Sequence, residues 1–389
     1  MKRICLVASF LCYLLGACVL VADPLLVIVL MVKNEEHVIQ QTLEPYVQAG
    51  VDAYLIYDTG SDDATMEVAH NYLNDSGITN FFIRQEPFID FATSRNKALS
   101  SVQELFPYAR FMLMPDAEWY MHNVEGLIQF CKDYADAGDP LYLIRIMNHR
   151  TDFYTPRLMR CGTNMHFVGV VHEVPNYITN TMAPRDIFFW WNASDKGIEK
   201  TRARWKRDVE LLLREYEEDP SNSRTVFYLA QTYDCLDDLD NARLWYEKRV
   251  ALMGWGEENF VACYRLAQVY DRLDHWDLAL CYYLKSYAMR PCRAEPLVKL
   301  AEHYWKMQEH ALCFLFSRQA CDIPYPEQEL LSVDKNLYLF QRYDLLGIAA
   351  WYMHEYALGE QAVRQALVAW PDAPHLLRNL ALYIERKGI

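Results

Sequence analysis

The sequence predicts two successive folded regions: an α/β region built on a parallel sheet, then an all-α array of helix-turn-helix repeats. Three observations predict them. Short apolar runs alternate with helix-like stretches as far as about residue 174. Beyond residue 220 a proline, a small residue and a tyrosine recur at fixed spacing. The 389 residues, 52% hydrophobic and 23% charged, are enough for two cores, and 14 Gly and 16 Pro are too few for a disordered or collagen-like chain.

At the N-terminus, Lys2 and Arg3 precede an uncharged apolar run, Ile4 to Ala22, that stops at Asp23 and Pro24. Residues 1–22 read as a secretory signal peptide, with a signal anchor as the alternative, since the run is nearly long enough to span a bilayer. A core strand starting at Leu25, with no stem before it, favours cleavage. The secretory pathway or another extracytoplasmic location follows, with membrane contact only through this segment if it stays uncleaved. Sequons at Asn74 and Asn192 would then be open to glycosylation. Three of the 11 Cys lie in the leader, and the other eight show no CxxC spacing, so they read as small buried side chains rather than zinc ligands.

The next stretch, residues 23–200, is the α/β region. Apolar runs predict strands at 25–32, 53–57, 81–84 and 110–114, with helices at 36–49, 63–74 and 94–105 between them. That order implies parallel strands with helices on both faces, and ligands bind at the carboxyl ends of such strands. No GxGxxG or GxxxxGK follows the first strand, which argues against a dinucleotide fold of the usual type and against a P-loop.

Residues 201–389 repeat. A proline precedes a small residue by ten positions at Pro220/Ala230, Pro291/Ala301 and Pro371/Ala381. Tyr233, Tyr270 and Tyr304 each stand three after the first small residue of a unit. Steps of 37, 34, 46 and 34 residues bracket the 34-residue length of a tetratricopeptide unit, and the 46-residue step carries an insertion near 323–333. Small residues let paired helices approach, and aromatics fill the space beside them. Sixteen of the 27 Tyr and seven of the 10 Trp fall here, so they are read as packing residues.

Net charge is -14, with 15 basic against 24 acidic residues over 1–200. Phosphate-tracking nucleic-acid binding is disfavoured, and an anionic ligand in this half would call for a divalent cation.

The loops after the predicted strands carry Met31-Val32-Lys33-Asn34-Glu35-Glu36, Tyr57-Asp58-Thr59-Gly60-Ser61-Asp62-Asp63, Ser94-Arg95-Asn96 and Asp116-Ala117-Glu118. In this order they resemble the successive motifs of family 2 glycosyltransferases with the GT-A fold, over about residues 25–175. Arg224 to Gln231 and Glu295-Pro296-Leu297 are similar to the helical extension of glycosyltransferases bearing tetratricopeptide repeats. The resemblance implies a GT-A nucleotide-sugar-binding domain followed by a tetratricopeptide solenoid. It implies transfer of a sugar from a nucleoside-diphosphate donor, with inversion and with Mn²⁺ or Mg²⁺, to a protein, peptide or glycan acceptor that the repeats could help to hold.

Under that resemblance, Asp58 contacts the nucleotide base, a role open to a carboxylate facing N–H donors. A turn or helix-cap role is its alternative. Lys33, Asn34 and Glu35 lie beside the nucleotide. Ser61 and Asp62 belong to the same loop and are also N-cap candidates, while Arg95 and Asn96 contact the donor or shape the pocket. Asp116 and Glu118, i and i+2 on an extended segment, point to one side and can share a cation, with His172 of Val170-Val171-His172-Glu173 as third ligand. Asp-x-Glu departs from the family's Asp-x-Asp, and the longer Glu118 shifts the second carboxylate. Glu173 is the candidate catalytic base and Asp152 its rival. Arg157-Leu158-Met159-Arg160 resembles the close of the catalytic domain. Two alternatives stay open: a catalytically degenerate scaffold whose repeats bind a partner, and a nucleotidyltransferase on a similar sheet.

Overall fold

A computed structural model describes residues 23–387 apart from 137, 149–151, 193–194 and 253. The expected signal segment, 1–22, lies outside the described residues, among which no helix is long and apolar enough to cross a membrane.

The first strand, β1 (Leu26–Val32), is apolar throughout because it is covered on both faces. Leu26, Ile28 and Leu30 pack towards α1 (Ile39–Gln48), α2 (Thr65–Asp75) and α4 (Val124–Asp133). Val27 and Val29 pack towards α3 (Phe91–Leu105) on the opposite side. Parallel partners flank β1: β2 (Ala53–Asp58), itself paired with β3 (Asn80–Gln85), and β4 (Phe111–Leu113). This β3-β2-β1-β4 block matches the strands expected from the apolar runs.

Beyond it the expectation changes. The sheet has eight strands in the order β3-β2-β1-β4-β7-β6-β10-β5, and it is mixed. β6 (Leu141–Met147) and β7 (Asp152–Arg160) form an antiparallel pair, because the four residues between them are too few for a parallel crossover. β7 also runs antiparallel to β4, while β10 (Phe188–Trp191) is parallel to β6 and antiparallel to β5 (Trp119–His122). An all-parallel sheet is therefore corrected to a mixed one. The GT-A assignment is corrected with it: what stands here is an α/β region with a mixed eight-stranded sheet. A small hairpin, β8 (Phe167–Val168) and β9 (Val174–Pro175), lies apart from the sheet.

Helix α5 (Asp195–Glu218) leads into four antiparallel pairs. They are α6 (Ser223–Cys235) with α7 (Leu239–Ala251), α8 (Gly256–Arg272) with α9 (Trp276–Met289), α10 (Glu295–Lys306) with α11 (His310–Cys321), and α12 (Arg342–Tyr352) with α13 (Tyr356–Ala369). α14 (Pro374–Lys387) closes the array, and a π turn, Leu337–Gln341, runs into α12. The second half is thus an array of tetratricopeptide type, as its periodicity predicts. Turn residues Asp237, Asp274, Gln308 and His354 all adopt left-handed φ, spaced by the same 37, 34 and 46 residues as the repeat. The insertion docks on the array's side. Glu257 accepts the Leu330 and Leu331 N–H groups at 2.8 and 2.9 Å, and Arg293 donates to the carbonyls of Leu331 and Ser332.

Ala230, Ala242, Ala267, Ala279 and Ala301 sit fully buried at helix contacts and Cys313 fills the position equivalent to Ala279, whereas Ala381, expected to do the same, is exposed. All eight described cysteines are unpaired; Cys131, Cys263 and Cys313 are buried as expected, whereas Cys235, Cys281 and Cys292 are exposed. At the last pair Tyr383 lies across two glycines and donates its hydroxyl to the Gly347 carbonyl at 2.7 Å. A Cβ on Gly359 would stand 2.0 Å from that hydroxyl. Gly359→Ala is expected to lower stability by about 1–3 kcal/mol through overpacking, read as a lower urea midpoint. An unchanged midpoint would contradict the packing of α14 on α13.

Candidate functional site

The order of the sheet reverses at β1: the chain moves to β2 on one side and returns to β4 on the other. Such a switch point leaves a crevice at the carboxyl ends of the two strands, where connecting loops diverge. A cleft of about 380 Å³ lies there, lined by Lys33, Asn34 and Glu35 after β1, Asp116, Ala117 and Glu118 after β4, and Arg95 of α3. Met31, Val32 and Thr59 also line it, and the rest of its wall is Phe88 and Phe91 together with Thr201, Ala203, Arg204, Arg207 and Asp208 of α5. The sequence reading assigns that helix to the repeats.

Arg95 organises the floor. Its side chain is 4% exposed and donates through Nη2 to Asp116 Oδ1 at 2.6 Å and through Nε to Glu173 Oε1. Arg157 of β7 donates to Asp116 Oδ2 at 3.2 Å and lies 3.7 Å from Glu173. Two arginines and two carboxylates thus close a neutral quartet, which compensates desolvation that either sign alone would not survive. Desolvation works to raise the Asp116 pKa, but the charges of Arg157 and Arg95 outweigh it and hold the carboxyl down to about 2. Burial lowers the pKa of Arg157, as does the neighbouring charge of Arg95. Arg95 Nη1 and Arg157 Nε are buried without a hydrogen-bond partner.

Glu173 is therefore not placed as the catalytic base: it is 7% exposed, paired with two arginines, and does not line the cleft. Its rival Asp152 forms a two-point ion pair with Arg145, at 2.7 and 2.5 Å, away from the cleft. His172 is displaced too. It sits in a left-handed conformation, φ 52°, with its ring stacked on Tyr228 of α6 at 4.0 Å, while its carbonyl accepts from Arg224. The loop holding both residues is tied to the helical half, where Glu215 accepts the Val170 N–H and the Thr225 hydroxyl.

The metal expectation fails on the same grounds. Mn²⁺ or Mg²⁺ needs several oxygen donors converging on one point. Both Asp116 oxygens are taken by arginines, and Asp116-Ala117-Glu118 is a turn with Glu118 at φ 69°, not the extended segment that would place i and i+2 together. Among the described residues no three His, Cys, Asp or Glu groups form a cation site. The residues do not fit the expected ion.

The nucleotide motifs divide between cleft and scaffold. Asp58 is fully buried, and its carboxylate accepts from the Gly60 and Ser61 N–H groups, each at 2.8 Å, from the Ser61 hydroxyl, and from Gln85 at 3.0 Å. That is the turn role, not the base contact. Ser61 in turn accepts the Asn34 N–H, and Asn34 accepts the Asp62 N–H, so the loops after β1 and β2 are laced together. Neither Ser61 nor Asp62 caps α2, whose first N–H, that of Thr65, goes to Asp63 instead. Asn96 pairs in both directions with the Phe167 backbone, at 2.9 and 2.7 Å, and so positions the β8–β9 hairpin.

Arg157 falls in the motif read as the close of the catalytic domain, whereas Arg204, Arg207 and Asp208 are missed by the sequence reading. The signal available for them was an arginine-rich helix start, with Arg202, Arg204 and Arg207 in six residues. Asp208 is 3% exposed, and burial pushes its carboxyl up to about 6 against the pull of Arg204 and Arg207. Its Oδ1 has no hydrogen-bond partner.

No family model matches the sequence, and no curated protein matches it. Solved structures similar to the chain include MamA, 18% identical over 51% of this chain and 98% of its own, with a TM-score of 0.34. YrrB, a tetratricopeptide protein with an unusual peptide-binding site, is 14% identical over 49% of this chain and 88% of its own, at 0.34. A tetratricopeptide protein from Parabacteroides merdae is 15% identical over 50% of this chain and 70% of its own, at 0.35. These neighbours are repeat proteins, and a GT-A domain is not shown.

A carboxylate held at about 2 stabilises the fold above the ordinary carboxylate range, and that contribution is lost as pH falls through about 2. Asp116→Asn is therefore expected to be less stable than the wild type at neutral pH, with the gap closing between about pH 4 and about pH 2. Urea titrations across that range check it, and a constant gap would count against the quartet.

Proposed function

We propose that the cleft transfers a sugar from a nucleoside-diphosphate donor to an acceptor hydroxyl, with inversion. The observation that carries this reading is the crevice at the β1–β4 switch point, lined by the two motif loops that resemble those of family 2 glycosyltransferases. Phe88 and Phe91 give it an apolar wall suited to a ring, and the cationic side chains of Lys33, Arg95, Arg204 and Arg207 suit a diphosphate. With Glu173 locked, proton acceptance falls to Asp208, whose Oδ1 is unpartnered and whose pKa lies close to neutrality. The acceptor oxygen bonds to the anomeric carbon, its proton passes to Asp208, and the bond to the diphosphate oxygen breaks with its electron pair leaving on the diphosphate. A protein, peptide or glycan acceptor, and an extracytoplasmic setting given by residues 1–22, belong to the same proposal.

A screen of nucleotide sugars, reading release of nucleoside diphosphate, is expected to find one donor that turns over. Asp208→Asn should cut turnover by about 10²-fold or more. The wild-type rate should fall as pH drops through about 6, where Asp208 takes up its proton. Burial of the charged carboxylate costs stability above that pH, so the same variant should melt higher than the wild type at neutral pH. Full turnover in Asp208→Asn would reject the assignment.

The second reading, a silent scaffold whose repeats bind a partner, is favoured by the commitment of Asp116 and Glu173 to arginines. Absence of turnover with every donor would support it.

A further inference from the structure

We infer that the cleft seats the diphosphate of its ligand on arginines of α5, without a divalent cation, so that the first helix of the repeat half is part of the ligand site. The inference rests on the nucleotide-sugar reading and departs from the cation that the sequence suggests.

The need for positive charge is chemical. A nucleoside diphosphate carries two or three negative charges, and a cleft that also holds Glu35, Asp116, Glu118 and Asp208 must offset them with a metal or with fixed cations. The metal route lacks donors. Each Asp116 oxygen accepts from a guanidinium, the turn holds Glu118 in a left-handed conformation, and His172 faces Tyr228. A cation approaching Asp116 would also meet the charges of Arg95 and Arg157 at close range. The arginine route has its parts in place. Arg204 and Arg207 line the same cleft as Asp116 and Glu118. Arg207 rests its guanidinium on the Phe88 ring at 5.7 Å, which orients it at little entropic cost. Arg204 is half-exposed and held only loosely by Asp208 at 3.8 Å, so a better acceptor can recruit it.

A second, independent observation points to an anionic ligand. Arg95 lines the cleft with its side chain 4% exposed, and its Nη1 is buried without a partner. An unmet, buried guanidinium N–H is destabilising when no acceptor is present. A phosphate oxygen would satisfy it once the guanidinium turns towards the cleft, and a metal ion would not.

The test is calorimetric titration of the purified full chain with UDP, GDP, ADP, CDP and inorganic pyrophosphate, each in EDTA and again with Mn²⁺. At least one nucleoside diphosphate is expected to bind in EDTA, with affinity changed less than twofold by Mn²⁺. Arg204→Gln and Arg207→Gln, both at exposed positions and so expected to fold, should each weaken it at least tenfold. The salt dependence of binding should also be shallower in each variant. Binding that requires Mn²⁺, or that survives both substitutions unchanged, overturns the inference and leaves the nucleotide-sugar reading standing. Failure of every probe to bind under both conditions removes the two together.

Discussion

The structure turns on the guanidinium of Arg95. It projects from α3 into a space bounded by the loop after β4, the strand β7 and the loop between β8 and β9, and it bonds a carboxylate from each of those two loops. Glu173 could not be buried there without it, and it could not be buried without Glu173 and the partly exposed Asp116, because an isolated buried charge costs several kcal/mol. Arg157 closes the circuit from the sheet. Four segments far apart in sequence are thereby fixed around one point, and that point is the floor of the cleft.

The helical half depends on this arrangement as well. Val170 to Glu173 lie between α3 and the first repeat helices, where Phe91 donates to the Val170 carbonyl, Glu215 accepts from Val170, and Val171 joins the core of the array. A boundary drawn at residue 200 divides the chain by periodicity, yet it cuts through the site. α5 packs as the first helix of the array while its N-terminal turns wall the cleft. The repeats consequently brace the site and also complete it.

Several motif residues turn out to serve the backbone. Asp58 and Ser61 gather turn N–H groups, and Asn96 clamps a hairpin, each satisfying donors or acceptors that would otherwise be buried unmet. Asn34, Glu118 and His172 all adopt left-handed φ, a conformation that non-glycine residues hold only when surroundings over-determine it. In the two cleft-lining cases, Asn34 and Glu118, the bent backbone carries a motif loop over the mouth of the crevice.

The sequence by itself determined the parallel block β3-β2-β1-β4, the repeat array and its insertion, and the loops that line the cleft. Those features follow from local periodicity, apolar run length and strand-end position, which neighbouring residues are enough to encode. Strands β5 to β10 were not legible: β5, β8, β9 and β10 are only two to four residues long, the polar-interrupted β7 carries no apolar run, and β5 and β10 pair out of sequence order. The roles of Asp116, Glu118, His172 and Glu173 were not legible either, because a carboxylate or imidazole is assigned by what faces it. Only the tertiary structure decided that Arg95 and Arg157 neutralise the presumed ligands, and that Arg204, Arg207 and Asp208, at least 86 residues from Asp116 and Glu118 in sequence, reach the cleft from α5. Charge pairing acts through space at a few ångströms, and the chain's linear order carries no measure of that distance.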